Sequence, residues 1–304
     1  MAHIKTIRPP YLKAGDIVGI VAPSRKITEP ELLPAIRILE KWGLKVKTGA
    51  NIYSAFNQFA GNDKARTSDF QSMLDDSSVK AIFCARGGYG AARIIDSLDF
   101  SCLVNRPKWI IGYSDSTVFH SHLLKNTGVE TLHGPMPFNF EKDAHSLSLL
   151  KSALLGEPLS YAIPPHSLNR NGIGRGLLAG GNLSLLYSLA STPSDMEFDD
   201  KILFLEDLDE YLYHVDRMMM QLKRAGKLAK LKGLVAGTFT EMKDNAVPFG
   251  KTAEQIIVDA VKEYNFPLCF GFPAGHGAKN YPLIMGTEVG LSVSPEGTKL
   301  AFSS

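Results

Sequence analysis

The sequence predicts an α/β protein built from a doubly wound parallel sheet and a second, smaller β/α domain. Short apolar runs alternate with helical patterns over about the first 140 residues, which is typical of a parallel sheet covered by helices. A proline-rich, polar stretch (156–172) interrupts this pattern, which then resumes and ends in a hairpin. At 304 residues the chain suits two domains. We expect an N-terminal domain over 1–145, a linker over 146–172 and a C-terminal domain over 173–304.

Each apolar run of the first half has the length of a buried strand. The predicted strands are DIVGIVAPS (16–24), LKVKTG (44–49), VKAIFCA (79–85), KWIIGYS (108–114) and VETLHGPM (129–136). The predicted helices between them start near Thr28 and cover NDKARTSDFQSMLDD (62–76), GAARIIDSL (90–98) and VFHSHLLKNTG (118–128). Thr28 and Glu31 form the capping box of the first helix, and Gly43 ends it.

The second half repeats the alternation less regularly. Its predicted elements are a segment from GIGRGLLAGGNLSLL (172–186), the strands KILFLED (201–207), GLVAGTF (233–239) and LCFGFPAGHG (268–277), and the helix TAEQIIVDAVKEY (252–264). A further helix has Val215, Met218, Met219 and Leu222 as its apolar face. GLSVSPEGTKLAF (290–302) predicts a β-hairpin that turns at Pro-Glu-Gly.

The composition predicts a soluble cytoplasmic protein. The chain is 44% hydrophobic and 21% charged, with a net charge of +2, which gives no indication of a nucleic-acid or membrane partner. Its first residues contain no apolar segment of the secretory type, and no apolar run approaches the ~20 residues of a membrane span. The three cysteines, Cys84, Cys102 and Cys269, are far apart, so we expect free thiols.

Ser114 is the first candidate for chemistry. It ends an apolar strand and precedes a predicted helix, so its hydroxyl is expected at a strand-to-helix turn, where unpaired N–H groups can hold an oxyanion. The segment GYSDS departs from the G-x-S-x-G elbow because Ser116 replaces the second glycine. The alternative is that Ser114 is a helix N-cap without chemistry.

A nucleophilic serine needs a base and a group that orients the base. Among eight histidines, His276 stands out because it follows a strand and is flanked by glycines, which would leave its ring room to move. Glu206 ends the apolar strand ILFL, whereas Asp207, Asp209 and Glu210 fit a charged loop. The chain order Ser…Glu…His matches α/β-hydrolase triads, although order alone is weak evidence.

Three other patterns favour structural explanations. G-R-G-L-L-A (174–179) matches a dinucleotide fingerprint but follows a polar stretch rather than a strand, so we reject a nicotinamide cofactor. His120 and His122 lack the partners of a metal site. The basic stretch KRAGKLAKLKG (223–233) fits a solvated helix end.

Taken together, several motifs resemble the LD-carboxypeptidase family of serine peptidases over essentially the whole chain. These motifs are ARGGYGAARI, IIGYSDST, HGP, LAGGNLSLL, LFLEDLDE with RMMMQLKRAGKL, and GHG. The resemblance implies a flavodoxin-like N-terminal domain, a mixed β/α C-terminal domain and commonly a homodimer. It also implies metal-free and cofactor-free cleavage of an L–D peptide bond, as in the removal of D-alanine from murein tetrapeptide during peptidoglycan recycling.

The resemblance assigns roles to five residues of this chain. Ser114 is the nucleophile, His276 the base and Glu206 its orienting carboxylate, while the backbone N–H groups of Gly88 and Asp115 form the oxyanion hole. Because Gly88 has no side chain, a substrate carbonyl is expected to approach its backbone closely. The helix dipole is expected to favour the charge of Asp115.

Substrate-binding roles for Arg86 and Asn182 are further expectations. Arg86 is the nearest candidate by sequence for the terminal carboxylate of the substrate, and a structural salt bridge is the competing explanation. Within the family, a microcin-type self-immunity hydrolase that cleaves aminoacyl nucleotides is the second possible function. A non-catalytic ligand-binding module would have no need of Ser114, Glu206 and His276 together.

Overall fold

The computed structural model describes residues 5–303 as two β-sheets with helices packed against them. The strands are β1 (Ile17–Val21), β2 (Lys45–Thr48), β3 (Val79–Cys84), β4 (Trp109–Gly112), β5 (Thr131–His133), β6 (Ser160–Ile163), β7 (Gly172–Asn182), β8 (Lys201–Leu208), β9 (Gly233–Thr240), β10 (Leu268–Cys269), β11 (Leu283–Met285), β12 (Glu288–Ser294) and β13 (Gly297–Phe302). The helices are α1 (Glu29–Lys41), α2 (Asp63–Asp75), α3 (Ala91–Ile94), α4 (Cys102–Asn105), α5 (Thr117–Asn126), α6 (Ala144–Leu155), α7 (Leu183–Ser188), α8 (Leu212–Arg224) and α9 (Ala253–Ala260).

The first sheet confirms the predicted doubly wound architecture. Its parallel strands lie in the order β2-β1-β3-β4-β5. In this flavodoxin-like order the connections leave in opposite directions from β1 and β3, which opens a crevice at the carboxyl ends of these two strands. The loop after β1 and the glycine-rich loop after β3 therefore meet at the place where such sheets bind ligands.

An edge strand of this sheet comes from the far end of the chain. β11 pairs antiparallel with β5, with Leu283 opposite His133. Residues 173–304 are expected to form a separate domain, and no pattern in the sequence predicts this strand. Three residues carry too little periodicity to be recognised as a strand, and only the approach of β5 supplies their hydrogen-bonding partners.

The second sheet contains seven strands in the order β10-β9-β8-β7-β12-β13-β6. β7 to β10 pair in parallel, whereas β12, β13 and β6 are antiparallel. The predicted hairpin is confirmed as β12 and β13, which turn between Ser294 and Gly297. The predicted apolar face of α8 is also confirmed, because its four residues are all buried.

The region expected to be a linker is structured. Residues 144–155 form α6, and β6 adds an edge strand to the second sheet by pairing with β13. Asp143 caps α6 by accepting the N–H of Ser146, and Gly156 ends it in the left-handed conformation. The prolines around β6 are compatible with an edge strand, which leaves one side unpaired. The segment 146–172 therefore contains most of α6 and all of β6.

Two further expectations concern the helices and the cysteines. The capping box of α1 is present, with the N–H of Thr28 donating to the Glu31 carboxylate at 2.8 Å. Cys84, Cys102 and Cys269 are free thiols, as expected.

Within residues 5–303, no helix has both the length and the apolar character that crossing a bilayer requires.

Candidate active site

Ser114 lies on a strained turn between β4 and α5. Its φ of 60° falls in the left-handed region, which non-glycine residues adopt at a cost of about 1–3 kcal/mol and often at functional sites. α5 begins only at Thr117, with Ser116 at its N-cap position, so Ser114 is not the cap of this helix. The turn holds the partly exposed Ser114 hydroxyl at the carboxyl edge of the first sheet.

Glu206 and His276 form a hydrogen-bonded pair at the edge of the second sheet. The fully buried Glu206 on β8 accepts a hydrogen bond from Nδ1 of His276 at 2.7 Å. This bond selects the tautomer with the proton on Nδ1, which leaves Nε2 free to accept a proton. Burial lowers the pKa of His276, but the charge and hydrogen bond of Glu206 outweigh it and raise the pKa above its ordinary value.

The glycines beside His276 restrain the loop rather than free it. A Cβ on Gly275 would lie 2.6 Å from Oε2 of Glu206 and 2.7 Å from Oγ1 of Thr238. The N–H of Gly277 donates to the same Thr238 hydroxyl at 3.0 Å. The expectation that these glycines give the His276 ring room to move is therefore corrected: they let the loop pack against β8 and β9.

Contacts between the two sheets bring the serine turn towards the histidine loop. The ring of Tyr113, the residue before Ser114, lies 4.9 Å from the His276 ring between centroids. Burial, followed by the charge of Glu206, raises the pKa of Tyr113 to about 12. The hydroxyl of Thr117 accepts the N–H of Asn182 at 3.0 Å. The ends of β4, β7 and β8 thus meet at one place.

Two consecutive glycines of the loop after β3 make different contacts. A Cβ on Gly87 would lie 3.1 Å from Cβ and 3.3 Å from Oγ of Ser114. A Cβ on Gly88 would overlap the Cγ and Cδ of Arg25, so the space of this missing side chain holds Arg25 and not substrate. Among residues 5–303, no acceptor takes the N–H of Gly88. This N–H is therefore available as the predicted oxyanion donor.

The carboxylate of Asp115 has a structural role. It is fully buried, and Oδ2 accepts from the hydroxyl of Ser24 and from the N–H of Ala91 at 2.8 Å. The carboxylate thus ties the loop after β1 and the start of α3 to the serine turn, rather than facing the start of its own helix as expected. Burial raises the pKa of Asp115. The predicted oxyanion role concerns only its backbone N–H.

The two predicted substrate-binding side chains are engaged with the protein. Arg86 pairs with Glu31 at 3.3 Å and lies 4.0 Å above the centre of the Phe138 ring. This is the structural salt bridge that was the alternative to a substrate-binding role. The buried amide of Asn182 accepts the N–H of Leu185 and donates to Asp207 at 2.9 Å. Their contact with substrate stays a prediction.

Asp207 lies on β8 and not in a charged loop, contrary to the expectation from the sequence. It is 1% exposed on β8 and accepts hydrogen bonds from Asn182, from the N–H of Ser184 and from its neighbour Leu208. Burial, followed by the charge of Glu206, raises the pKa of Asp207 to about 7. Successive residues of a strand point to opposite faces, so Glu206 contacts His276 while Asp207 contacts α7.

Two other histidines near the site are buried. His120 bonds to Thr131 and to the Gly112 carbonyl, at 2.8 and 2.9 Å, and burial lowers its pKa to about 4. Burial also holds the pKa of His133 well below its ordinary value. Within the part of the chain that the structure describes, no group of three or more His, Cys, Asp or Glu side chains has the arrangement of a metal site.

Sequence reasoning missed several residues that build the site. Asn280 accepts the N–H of Gly275 at 2.9 Å, and Thr238 and Ser24 hold the loops that carry His276 and Asp115. Asn280 lies outside every segment quoted above, whereas Ser24 ends DIVGIVAPS and Thr238 lies one residue before the end of GLVAGTF. For Ser24 and Thr238, the position at the carboxyl end of a predicted strand was the available signal.

Family models match both halves of the chain. The LD-carboxypeptidase N-terminal domain matches residues 18–134, and the LD-carboxypeptidase C-terminal domain matches residues 175–291. A probable murein peptide carboxypeptidase of Bacillus subtilis is 34% identical over 298 residues, which cover 94% of this chain and 92% of that protein.

Solved structures share the whole fold. The muramoyltetrapeptide carboxypeptidase of Oxalobacter formigenes superposes with a TM-score of 0.86 at 29% identity, covering 95% of this chain and 99% of that one. The microcin C7 self-immunity protein MccF gives a TM-score of 0.87 at 18% identity, covering 97% and 98%. At this identity the second likeness shows the fold alone.

Proposed function

The chain belongs to the LD-carboxypeptidase family of serine peptidases, and we propose that it removes the terminal D-alanine of a murein tetrapeptide. It is a carboxypeptidase-type hydrolase, as its similarity to murein peptide carboxypeptidases shows. The observation that carries the finer proposal is the 2.7 Å bond from His276 to Glu206, on a loop packed beside the strained turn of Ser114. This arrangement supports a Ser-Glu-His triad.

In the proposed mechanism, Nε2 of His276 takes the proton of the Ser114 hydroxyl as Oγ attacks the carbonyl carbon of the L–D bond. The N–H groups of Gly88 and Asp115 stabilise the oxyanion that forms, and one such donor typically contributes roughly 3–4 kcal/mol to lowering the barrier. Glu206 stabilises the imidazolium.

The remaining steps complete the proton balance. The imidazolium gives its proton to the nitrogen of D-alanine, the C–N bond breaks, and D-alanine leaves an ester on Ser114. Water then attacks this ester, with His276 accepting a proton from the water and returning it to Ser114 Oγ. The products are D-alanine and the shortened peptide. A role in peptidoglycan recycling, a cytoplasmic location and a homodimer stay predictions of the family resemblance.

Mass spectrometry tests this proposal. The protein is incubated with L-Ala-γ-D-Glu-diaminopimelyl-D-Ala, and with the lysine analogue, and free D-alanine is measured with and without EDTA. We expect release that survives EDTA and is lost in Ser114→Ala, because the alanine variant has no nucleophile. Ser116→Ala is the matched control on the same turn, and we expect it to keep turnover.

The control results separate the explanations. Full activity in Ser114→Ala or His276→Ala would contradict the triad. If the folded wild-type protein releases no D-alanine from either peptide, the murein proposal fails. Aminoacyl sulfamoyl nucleotides, the ligand class in a structure of MccF with glutamyl sulfamoyl guanosine, are then the next substrates to assay.

A further inference from the structure

We propose that Arg25 binds the terminal carboxylate of the peptide substrate and so restricts the enzyme to the last peptide bond. This inference rests on the function proposed above. In a carboxypeptidase substrate the free carboxylate belongs to the residue directly after the scissile bond, and consecutive residues are about 3.8 Å apart. The cation that recognises the carboxylate must therefore lie close to the oxyanion hole.

Arg25 lies at this position. Its Cγ and Cδ occupy the space where Gly88 has no side chain, and Gly88 supplies the proposed oxyanion N–H. The guanidinium carbon is two bonds beyond Cδ, so it lies within one residue's length of this loop. Gly87, the preceding residue, packs against the Ser114 side chain. Arg25 and Ser114 thus contact adjacent residues of the same loop.

The backbone of Arg25 is fixed on both sides. Arg25 forms an antiparallel bridge with Phe59, and the N–H of the next residue donates to the carbonyl of Gln58 at 3.0 Å. The preceding residue, Ser24, donates its hydroxyl to Asp115. Because Asp115 follows the nucleophile directly, the Arg25 loop and the serine turn are held together by a buried hydrogen bond.

The charge of Arg25 is available to a ligand. Its side chain is exposed, and within residues 5–303 it forms no ion pair with a carboxylate. The neighbouring arginines Arg66 and Arg93 both pair with Asp63. A planar guanidinium without a partner suits a carboxylate, which it can bind through two parallel hydrogen bonds.

Other cations near the site are already engaged. Arg86 pairs with Glu31 and stacks on Phe138. The ammonium of Lys142 lies 3.4 Å from the carbonyl oxygen of His276 and bonds to it. Arg86 is paired with a carboxylate, and Lys142 lies against the His276 loop, whereas Arg25 lies against Gly88, so the structure favours Arg25 over the Arg86 site that the sequence suggested.

The test compares the tetrapeptide acid with its C-terminal carboxamide, which lacks the charge that Arg25 is proposed to bind. We expect wild type to prefer the acid by at least about 100-fold in kcat/KM. Arg25→Gln is expected to lose about 100-fold on the acid, mainly through KM, and less than about 3-fold on the amide. Arg25→Lys keeps the charge without the planar fork and is expected to recover part of the preference.

Lys26→Gln is the matched control, because it removes one exposed positive charge from the same loop and is expected to keep the acid preference. Binding of both peptides to Ser114→Ala, with and without Arg25→Gln, provides a second readout that does not depend on turnover. We expect Arg25→Gln to weaken binding of the acid alone.

Each result decides the question. Equal losses on acid and amide, no loss, or collapse of the preference in Arg86→Gln instead would overturn the role of Arg25 while the proposed function stands. Failure of wild type to release D-alanine from the acid would refute the proposed function and this inference with it.

Discussion

At the residue scale, the protonation of His276 depends on one buried neighbour. Burial alone would lower the pKa of His276, and the charge and hydrogen bond of Glu206 reverse the direction. The base must be neutral to take the proton of Ser114. We therefore expect kcat/KM to rise with pH as His276 loses its proton, with a midpoint above its ordinary pKa of about 6.5.

Substituting Glu206→Gln tests this dependence. The variant loses the charge that raises the pKa of His276 but keeps the burial that lowers it, so we expect the midpoint to move to lower pH. The rate is expected to fall by roughly 10³–10⁴-fold because the imidazolium loses its stabilising carboxylate. A pH series of kcat/KM between about pH 5 and 9 measures both effects. An unchanged or higher midpoint would contradict the pairing.

At the element scale, the loop after β3 and the serine turn after β4 are packed together without spare room. The backbone of Gly87 is not in the left-handed region, so its conformation does not require a glycine. A Cβ at this position would nevertheless make tight contacts with Cβ and Oγ of Ser114. A displacement of the nucleophile by a fraction of an ångström is sufficient to disturb a reacting geometry.

Gly87→Ala is therefore expected to lower kcat by roughly 10- to 100-fold while the fold and thermal stability change little. Kinetics and thermal unfolding monitored by circular dichroism measure the two properties. Gly290→Ala is the control, because a Cβ at Gly290 meets no atom within 4 Å and its backbone is extended in β12. Full activity in Gly87→Ala would show that this loop does not hold Ser114.

At the scale of the whole molecule, the two sheets share a hydrophobic core. One continuous cluster contains Ile20 and Trp109 of the first sheet together with Phe204 and Leu291 of the second. β11 extends this coupling, because residues from the C-terminal half complete the edge of the first sheet. We therefore expect the chain to unfold as one cooperative unit.

Urea unfolding followed by two probes tests the coupling. Both tryptophans, Trp42 and Trp109, lie in the N-terminal half, so their fluorescence reports on the first sheet, whereas far-ultraviolet circular dichroism reports on both. We expect coincident transitions. Leu283→Ala, at a fully buried position of β11, is expected to lower the free energy of unfolding by about 2–5 kcal/mol and to shift both probes together. If the midpoint of the fluorescence transition does not shift in Leu283→Ala, the two halves of the chain unfold independently.

The sequence by itself determined the features that depend on local patterns. The structure has the strands of the first half, the Thr28 and Glu31 cap and the hairpin turn after Ser294, which are all encoded within a few residues. The strand predicted over 268–277 is limited to Leu268–Cys269. The positions of Ser114 just after β4 and of Glu206 near the end of β8 were readable for the same reason, because parallel strands present their carboxyl ends at one edge. His276 lies in the loop beyond β10, which ends at Cys269.

Only the tertiary structure decided the features that depend on distant contacts. Three of these features join residues far apart in the chain: β11 pairs with β5, Asp207 is buried, and the side chain of Arg25 packs against Gly88. A glycine, a charge or a three-residue strand has no periodic pattern of its own. The role of such a residue or strand depends on the group that packs against it in the folded protein. For Arg25, this group is the glycine-rich loop beside Ser114.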